Sequence, residues 1–458
     1  MSTWKFHLLT FGCKVNQYES QSLREAWQRQ GGEECDDPAA ADIVCVNSCA
    51  ITAKGERDAR AALLRLRRTA PQARLILTGC AAQLPGVLEP VRRRGEQQPQ
   101  PTADCIIPQA RKAQLLHALL PSLTDGGRQA PQAAANAAQT FPPFAIDGFR
   151  RARPVLKVQD GCEHRCTYCI VPLTRGRCRS REPQAVLDEA RRLLRGGHAE
   201  LMISGINLRQ YGRDRPDYGD FWSLLTWLDR ELAPEFAGKA RLRISSLEPG
   251  QLDARGVDSL LSCRLVCPHL HISLQHASPQ VLRRMGRGHY RAESLQEAVR
   301  ALSAQWPVMG LGADIILGFP GETEADVDCL LDFVAATPFS YAHVFPYSAR
   351  PGTAAAGFAG HIPPQEKQER ARRVREAVAR QQEAFRRAQL AQPDMLLAAD
   401  VADGEGRQGG QAIRGVNEFY VPCRLVTPPA GLPLSGLVPV RPTGLDAAGL
   451  LVEPVGTP

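Results

Sequence analysis

A chain of 458 residues holds about two to four domains, and no apolar run in it approaches the ~18 residues of a membrane span. The start, Met1 to Cys13, lacks the hydrophobic region and small-residue cleavage site of a signal peptide, so the fourteen cysteines are expected to be reduced, in a cytoplasm, and available for metal or redox chemistry rather than a disulfide framework. A net charge of +8 is modest for this size; the dominance of arginine admits nucleic acid as a partner without showing it.

The first ~120 residues read as alternating strands and helices. Phe6–Thr10 is a short strand, Gln17–Gln30 a helix stopped by Gly31-Gly32, Asp42–Asn47 a strand, Lys54–Arg68 a basic amphipathic helix and Arg74–Thr78 a third strand. Such alternation predicts a doubly wound parallel sheet. Cys13, Cys49 and Cys80 each fall one to three residues past a strand's carboxyl end. In a parallel sheet those ends share the edge where ligands bind, so residues far apart in sequence are delivered to one place. Three thiolates there suit an iron–sulfur cluster with one iron left open; three small buried core cysteines are the alternative. Cys45, inside its strand, reads as core, and Cys105 as structural.

The blocks Thr10-Phe-Gly-Cys-Lys-Val-Asn-Gln-Tyr-Glu-Ser20, Val46-Asn-Ser-Cys-Ala-Ile-Thr52 and Thr78-Gly-Cys-Ala-Ala-Gln83 resemble the three signature blocks of the methylthiotransferases. Those enzymes insert sulfur into an unactivated C–H bond and methylate it, and the resemblance makes Cys13, Cys49 and Cys80 ligands of an auxiliary cluster. The residues after Cys13 are most similar to the MtaB type, which modifies threonylcarbamoyladenosine in tRNA; the isopentenyladenosine and ribosomal-protein branches differ there.

Residues 124–149 turn to Ala, Gln, Pro and Gly and read as a linker. Next comes Lys157-Val-Gln-Asp-Gly-Cys162-Glu-His-Arg-Cys166-Thr-Tyr-Cys169, three cysteines in a Cys-x3-Cys-x2-Cys spacing with no regular fourth partner. A structural zinc wants four ligands and usually two close pairs, whereas three thiolates on a short loop suit one face of a cubane cluster with an open iron. With Tyr168 before the third cysteine, the loop resembles the signature of the radical S-adenosylmethionine (SAM) enzymes. The resemblance implies that SAM chelates the open iron and is cleaved to a 5′-deoxyadenosyl radical. The arginine run that follows, Arg175 to Arg181, reads either as a solvated charge run or as a phosphate contact near the cluster loop. Cys178 within it is not expected to be a ligand.

Strands and helices then alternate to about Leu390, which predicts a full or partial TIM-like barrel with functional residues at the strands' carboxyl ends. Those ends carry Ser204-Gly205-Ile-Asn207, Ser245-Ser246-Leu-Glu248, Leu274-Gln275 and Gly318-Phe-Pro-Gly-Glu322. Together they resemble the radical SAM barrel, which implies SAM contacts from Tyr168, Gly205, Asn207, Ser246 and Gln275. Where family members read Leu-Gln-Ser-Gly this chain has His276-Ala277, which puts the local backbone in question; His276 is taken as a bystander. Cys263, Cys267 and Cys329 form no ligand set. Gln365–Gln389 is a long basic helix, expected to be a solvated connector. From Pro393 onward, Leu396–Ala399, Glu418–Val421 and Leu437–Arg441 read as short strands of a small β-barrel of an RNA-binding kind, and Gly415–Val421 resembles a TRAM-domain block.

The expected organisation is a methylthiotransferase domain over 1–123, a linker over 124–149, a barrel over 150–390 and a TRAM-like barrel over 391–458. By resemblance, the enzyme would use two [4Fe–4S] clusters and two SAM to methylthiolate C2 of threonylcarbamoyladenosine in a tRNA anticodon loop. A reductant such as flavodoxin or ferredoxin would serve it, and it would act as a cytoplasmic monomer, with Arg65, Arg92 and Arg177 near the phosphates. Two other readings stay open: another methylthiotransferase branch, and a non-catalytic iron–sulfur or zinc RNA-binding protein.

Overall fold

The computed structural model describes residues 4–88, 102–117, 140–399, 413–426 and 436–455. Arg92 and most of the expected linker lie outside them. By packing, the chain forms two compact units, one of residues 1–147, 159–181 and 348–356 and the other of residues 148–158, 182–347 and 357–458.

In the first unit, β1 (Trp4–Thr10), α1 (Lys14–Arg29), β2 (Gly32–Glu34), β3 (Ile43–Ser48), α2 (Ala53–Thr69), β4 (Arg74–Gly79), a single-turn α3 (Pro85–Leu88) and β5 (Cys105–Pro108) follow in order. The five strands form one parallel sheet in the order β2-β1-β3-β4-β5. Every residue of β3 is buried, as a central parallel strand covered on both faces requires. Cys45 lies in this core, where burial pushes its thiol up to about 12. Two strands were not anticipated: three-residue β2, and β5, which Cys105 opens opposite Ile76. Both are edge strands too short for a period-2 signal.

β6 (Val155–Lys157) belongs to the second unit, while β7 (Gln159–Asp160), α4 (Val171–Arg175) and β8 (Arg179–Ser180) belong to the first. The second unit continues through α5 (Pro183–Arg195), β9 (Glu200–Ser204), α6 (Phe221–Phe236), β10 (Arg241–Ile244), α7 (Ala254–Ser262), β11 (His269–Gln275), α8 (Pro279–Arg284), α9 (Glu293–Ser303), β12 (Gly310–Leu317), α10 (Glu324–Ala335), β13 (Tyr341–Pro346) and α11 (Pro364–Ala388). Its parallel strands make two three-stranded sheets, β6-β9-β10 and β11-β12-β13, joined by single bridges at Leu242–Val266 and Leu247–Ile272. Six strands in an arc make the barrel partial.

The chain ends in a closed barrel ordered β14-β15-β16-β18-β17, from β14 (Met395–Ala399), β15 (Ile413–Val416), β16 (Pro422–Leu425), β17 (Leu437–Leu445) and β18 (Leu450–Pro454). The expected strand over Glu418–Val421 is instead a turn. Buried Asn417 accepts the Phe419 and Val421 amides through Oδ1 at 3.1 and 2.9 Å, and Tyr420 takes a φ of +66°. An asparagine that satisfies the following amides locally competes with a strand ladder.

Buried charge ties this barrel to the arc. Arg241 donates to the Leu396 and Val416 carbonyls at 2.7 and 3.0 Å, and Arg243 to those of Asn417 and Glu418 at 3.0 Å each. Both arginines also bond Glu200 at 2.6 to 2.8 Å. Burial alone would raise the Glu200 carboxyl, but Arg243 and Arg241 outweigh it and hold the group down to about 2. Its pKa lies below the free value of 4.5, so this stabilisation, on the order of 3 kcal/mol, is complete above pH 4.5 and lost as pH falls toward 2. Glu200→Gln, which strands two buried guanidinium charges, is expected to destabilise the second unit by about 3–5 kcal/mol in urea titrations at neutral pH.

Candidate active site

β1, β3 and β4 are parallel neighbours, and Cys13, Cys49 and Cys80 follow their carboxyl ends. The first unit therefore brings the first predicted triad to one edge. Burial pushes the Cys49 thiol up to about 11; the Ile51 amide opposes the shift, and Cys13 and Cys80 lie close enough to add to it. A metal bound here displaces a thiol proton that the apo protein holds tightly. Cys13 caps the start of α1 in extended backbone. Glycine precedes two of the three cysteines for a geometric reason. Gly12 and Gly79 have φ of +92° and +93°, and a Cβ on Gly12 would come within 2.7 Å of Cys49 Sγ. The loops thus leave a cradle that a side chain would fill.

The second triad lies in the same unit, on the loop between β7 and β8, which pair antiparallel at Gln159–Ser180 and Asp160–Arg179. The Cys162 amide donates to the Gly176 carbonyl at 3.0 Å and the Cys169 amide to that of Cys166 at 3.1 Å. The Ala355 amide holds the loop from outside, at 2.8 Å from the Thr167 carbonyl. Cys162 is buried, while Cys166, Tyr168 and Cys169 are partly exposed. Cys178 is turned to Glu163, to which its thiol donates at 3.3 Å.

Of the arginine run, only Arg177 reaches the surface. Arg175, Arg179 and Arg181 are buried, and Arg177 pairs with Glu163 at 2.6 Å. Arg175 bonds Glu19 and Asp160 at 2.9 Å each and Asn16 Oδ1 at 2.6 Å. Glu19, fully buried, is shared with Lys112 at 2.5 Å, and Lys112 reaches Asn47 at 2.9 Å. Burial lowers the Lys112 pKa, against the pull of Glu19. Arg175 behaves oppositely: burial disfavours its charge, but Glu19, Cys80, Asp160 and Cys13 raise its pKa. One guanidinium thus joins the second cysteine loop to the α1 residues behind Cys13. Arg175, Glu19 and Lys112 were not among the predicted site residues; the signal for them was Glu19 inside the first motif.

The other motif residues brace the edge. Asn16 Nδ2 donates to the Phe11 and Ser48 carbonyls at 2.9 Å each, the Ser48 hydroxyl to the Thr78 carbonyl at 2.6 Å, and the Thr78 hydroxyl to that of Ile107 at 2.8 Å. These are the residues flanking the cysteines, so the strand ends are fixed before any ligand arrives.

In the second unit, Gly205 and Asn207 follow β9, Ser246 follows β10, and Gln275 ends β11. Of these, Asn207 is held by Glu248, which sequence reasoning did not single out and which accepts from Asn207 Nδ2 at 3.1 Å and from Arg209 at 3.3 Å, with His289 Nε2 at 3.2 Å and Arg287 at 3.6 Å. Its signal was a carboxylate two residues after Ser246. The doubt raised by His276-Ala277 resolves one residue earlier, because Gln275 takes the positive φ, +65°. His276 has a structural place: fully buried, it accepts the Ser278 amide at 3.0 Å and places Nε2 3.6 Å from Glu322, with burial lowering its pKa to about 4. Glu322 accepts the Gly318 amide at 2.9 Å and pairs with Arg370 at 2.9 Å, so it closes a loop and anchors α11.

Residues 5–95 match the family described as "Uncharacterized protein family UPF0004", and residues 156–334 match the radical SAM superfamily. The chain is 33% identical over 377 residues to a threonylcarbamoyladenosine tRNA methylthiotransferase MtaB of Bacillus subtilis, covering 82% of this chain and 80% of that one. A second protein of that name, from Thermotoga maritima, is 34% identical over 79% of each chain. The chain belongs to the radical SAM methylthiotransferases, MtaB type. The methylthiotransferase is also 32% identical over 378 residues, 81% of its length and 82% of the other's, to a tRNA-2-methylthio-N(6)-dimethylallyladenosine synthase of Moorella thermoacetica. Among solved structures, the radical SAM methyltransferase TsrM of Kitasatospora setae shares the fold, at TM-score 0.52 and 16% identity over 75% of each chain. As a radical SAM enzyme it works with an iron–sulfur cluster and SAM, and its thiols, three to a set, are the donors such clusters take.

Arg175→Met is expected to cost about 3–5 kcal/mol, read as a lowered urea midpoint, because Glu19 and Asp160 lose a buried counter-charge. Arg175→Lys should recover only part, since a lysine cannot make the forked bonds to Glu19, Asp160 and Asn16.

Proposed function

We propose that this methylthiotransferase acts on tRNA and places a methylthio group on C2 of N6-threonylcarbamoyladenosine at position 37, beside the anticodon. Cys162, Cys166 and Cys169 hold one [4Fe–4S] cluster, and Cys13, Cys49 and Cys80 hold a second. The observation that carries this reading is that two sets of three thiols belong to one compact unit, with three adjacent parallel strands delivering the first set. Three ligands, rather than four, leave each cluster a position for a reactant. When bound, the clusters and SAM supply the radical and the transferred group.

The chain's own residues then have defined work. Tyr168, Gly205, Asn207, Ser246 and Gln275 orient SAM, with Glu248 fixing the Asn207 side chain. Asn16, Asn47, Ser48 and Thr78 keep the first cysteine edge rigid, and Arg175 and Lys112 set positive charge behind it. A loop adenosine is presented unstacked, at low cost because it is unpaired. Exposed Arg65 and Arg177 contact phosphate. A flavodoxin or ferredoxin delivers electrons, and the enzyme works as a cytoplasmic monomer.

A second reading is favoured by the Moorella relative, almost as similar as the MtaB-named ones: the dimethylallyladenosine branch. The run Lys14-Val-Asn after Cys13 speaks for the first. Mass spectrometry of nucleosides from bulk tRNA of a deletion strain decides between them. Loss of 2-methylthio-threonylcarbamoyladenosine is expected; a full complement of it, with loss of the dimethylallyl counterpart, overturns the proposal. Replacing Cys13, Cys49 or Cys80 by alanine should remove about half of the iron of the reconstituted enzyme, measured by elemental analysis, whereas unchanged iron would remove the second cluster from the scheme.

A further inference from the structure

A cluster of donors in the second unit is separate from every residue used above. On β11, β12 and β13 the face opposite the buried row Leu270, Ile272, Leu311, Ala313 and Ile315 carries His271, Asp314 and His343. His271 Nε2 lies 3.2 Å from Asp314 Oδ2, and His343 Nδ1 lies 3.2 Å from Asp314 Oδ1. All three donor atoms fall within 4.8 Å of one another. Two donors ~2.1 Å from one cation sit about 3.0–3.4 Å apart, and each imidazole nitrogen lies at that distance from a different Asp314 oxygen, so a cation between the rings would take the carboxylate through both oxygens. Two imidazoles and one carboxylate form a set that divalent transition metals take, with coordination positions left over.

Three further features belong to a built site rather than a chance cluster. His271 Nδ1 lies 3.0 Å from the Tyr341 hydroxyl, which also lies 3.0 Å from His269 Nε2. That contact fixes the ring and leaves Nε2 as the donor, the usual outer support of a metal-bound histidine. The Tyr341 ring can cross the central strand only because residue 312 is glycine: a Cβ there would come within 2.1 Å of Tyr341 Cζ. Exposure is graded, at 10%, 32% and 56% for the His271, Asp314 and His343 side chains, so the set is anchored at one end and open to entry at the other.

We infer that His271, Asp314 and His343 form a binding site for a divalent transition cation such as zinc, with Tyr341 orienting the innermost ligand and the open positions taken by water or another oxygen donor. The site is independent of the cysteine clusters and of which adenosine the enzyme modifies.

The test uses the cluster-reconstituted full chain, freed of adventitious metal by dialysis and titrated with zinc chloride by calorimetry. One saturable equivalent is expected beyond whatever other sites bind, with a zinc-edge X-ray absorption shell of nitrogen and oxygen and no sulfur. His343→Ala, a change at an exposed side chain, and Asp314→Asn should each abolish that equivalent. Tyr341→Phe should weaken it on the order of 10-fold, since it removes only an outer-shell support. Saturable binding that survives both ligand substitutions, a sulfur-containing shell, or no saturable binding at all would overturn the assignment and leave a hydrogen-bonded His–Asp–His chain. If Asp314→Asn fails to fold, the His343→Ala result alone decides.

Discussion

The first unit depends on one buried carboxylate. Glu19 is shared between Lys112 and Arg175, with no solvent to relieve any of the three charges. A buried ion pair adds little stability over an apolar core of the same shape, but losing one partner is severe, so the arrangement holds geometry more than it adds free energy. What it holds is the relation of three stretches. Glu19 lies one and a half turns into the helix that Cys13 caps, Lys112 lies beyond β5, and Arg175 ends the short helix after the second cysteine loop. The Asn16 and Asn47 side chains extend the same network to the loops before Cys13 and Cys49. The positive charge it sets beside Cys13 and Cys80 suits an edge that becomes anionic when thiols are deprotonated.

Parallel strands then do for chemistry what the network does for position. Three thiols 31 to 67 residues apart in the chain converge because their strands all end on one side of a sheet. The polar residues around them, Asn16, Asn47, Ser48 and Thr78, bond to neighbouring backbone rather than pointing outward. Those motif residues are scaffolding for the cysteines. A buried polar group left unbonded would cost about 1–3 kcal/mol, which is why each has a partner.

The second unit repeats the device with other carboxylates. Glu200 binds two arginines that reach into the C-terminal barrel, Glu248 gathers Asn207 and Arg209 from after β9 with Arg287 and His289 from after α8, and Glu322 closes the loop after β12 and holds Arg370 of the long helix. That last contact corrects the picture of α11 as a solvated connector: it is amphipathic, with Arg370, Ala371, Val374 and Val378 buried.

The sequence by itself determined the alternation of strands and helices, the placement of Cys13, Cys49 and Cys80 just past strand ends, and the cysteine loop, because periodicity, glycine stops and ligand spacing are local. It could not tell a solvated arginine from a buried one: Arg175 and Arg177 are two residues apart in an identical-looking run, yet one lies in the core and the other in water. It read Glu418–Val421 as a strand from its apolar residues, while Asn417 bonds the amides a strand would need. Nor did it single out Glu248 or join His271 to Asp314 and His343, whose pairing depends on strand order and register. Local pattern fixes which residues can do chemistry, but desolvation and long-range partners, which fix what each one does, exist only once the chain has packed.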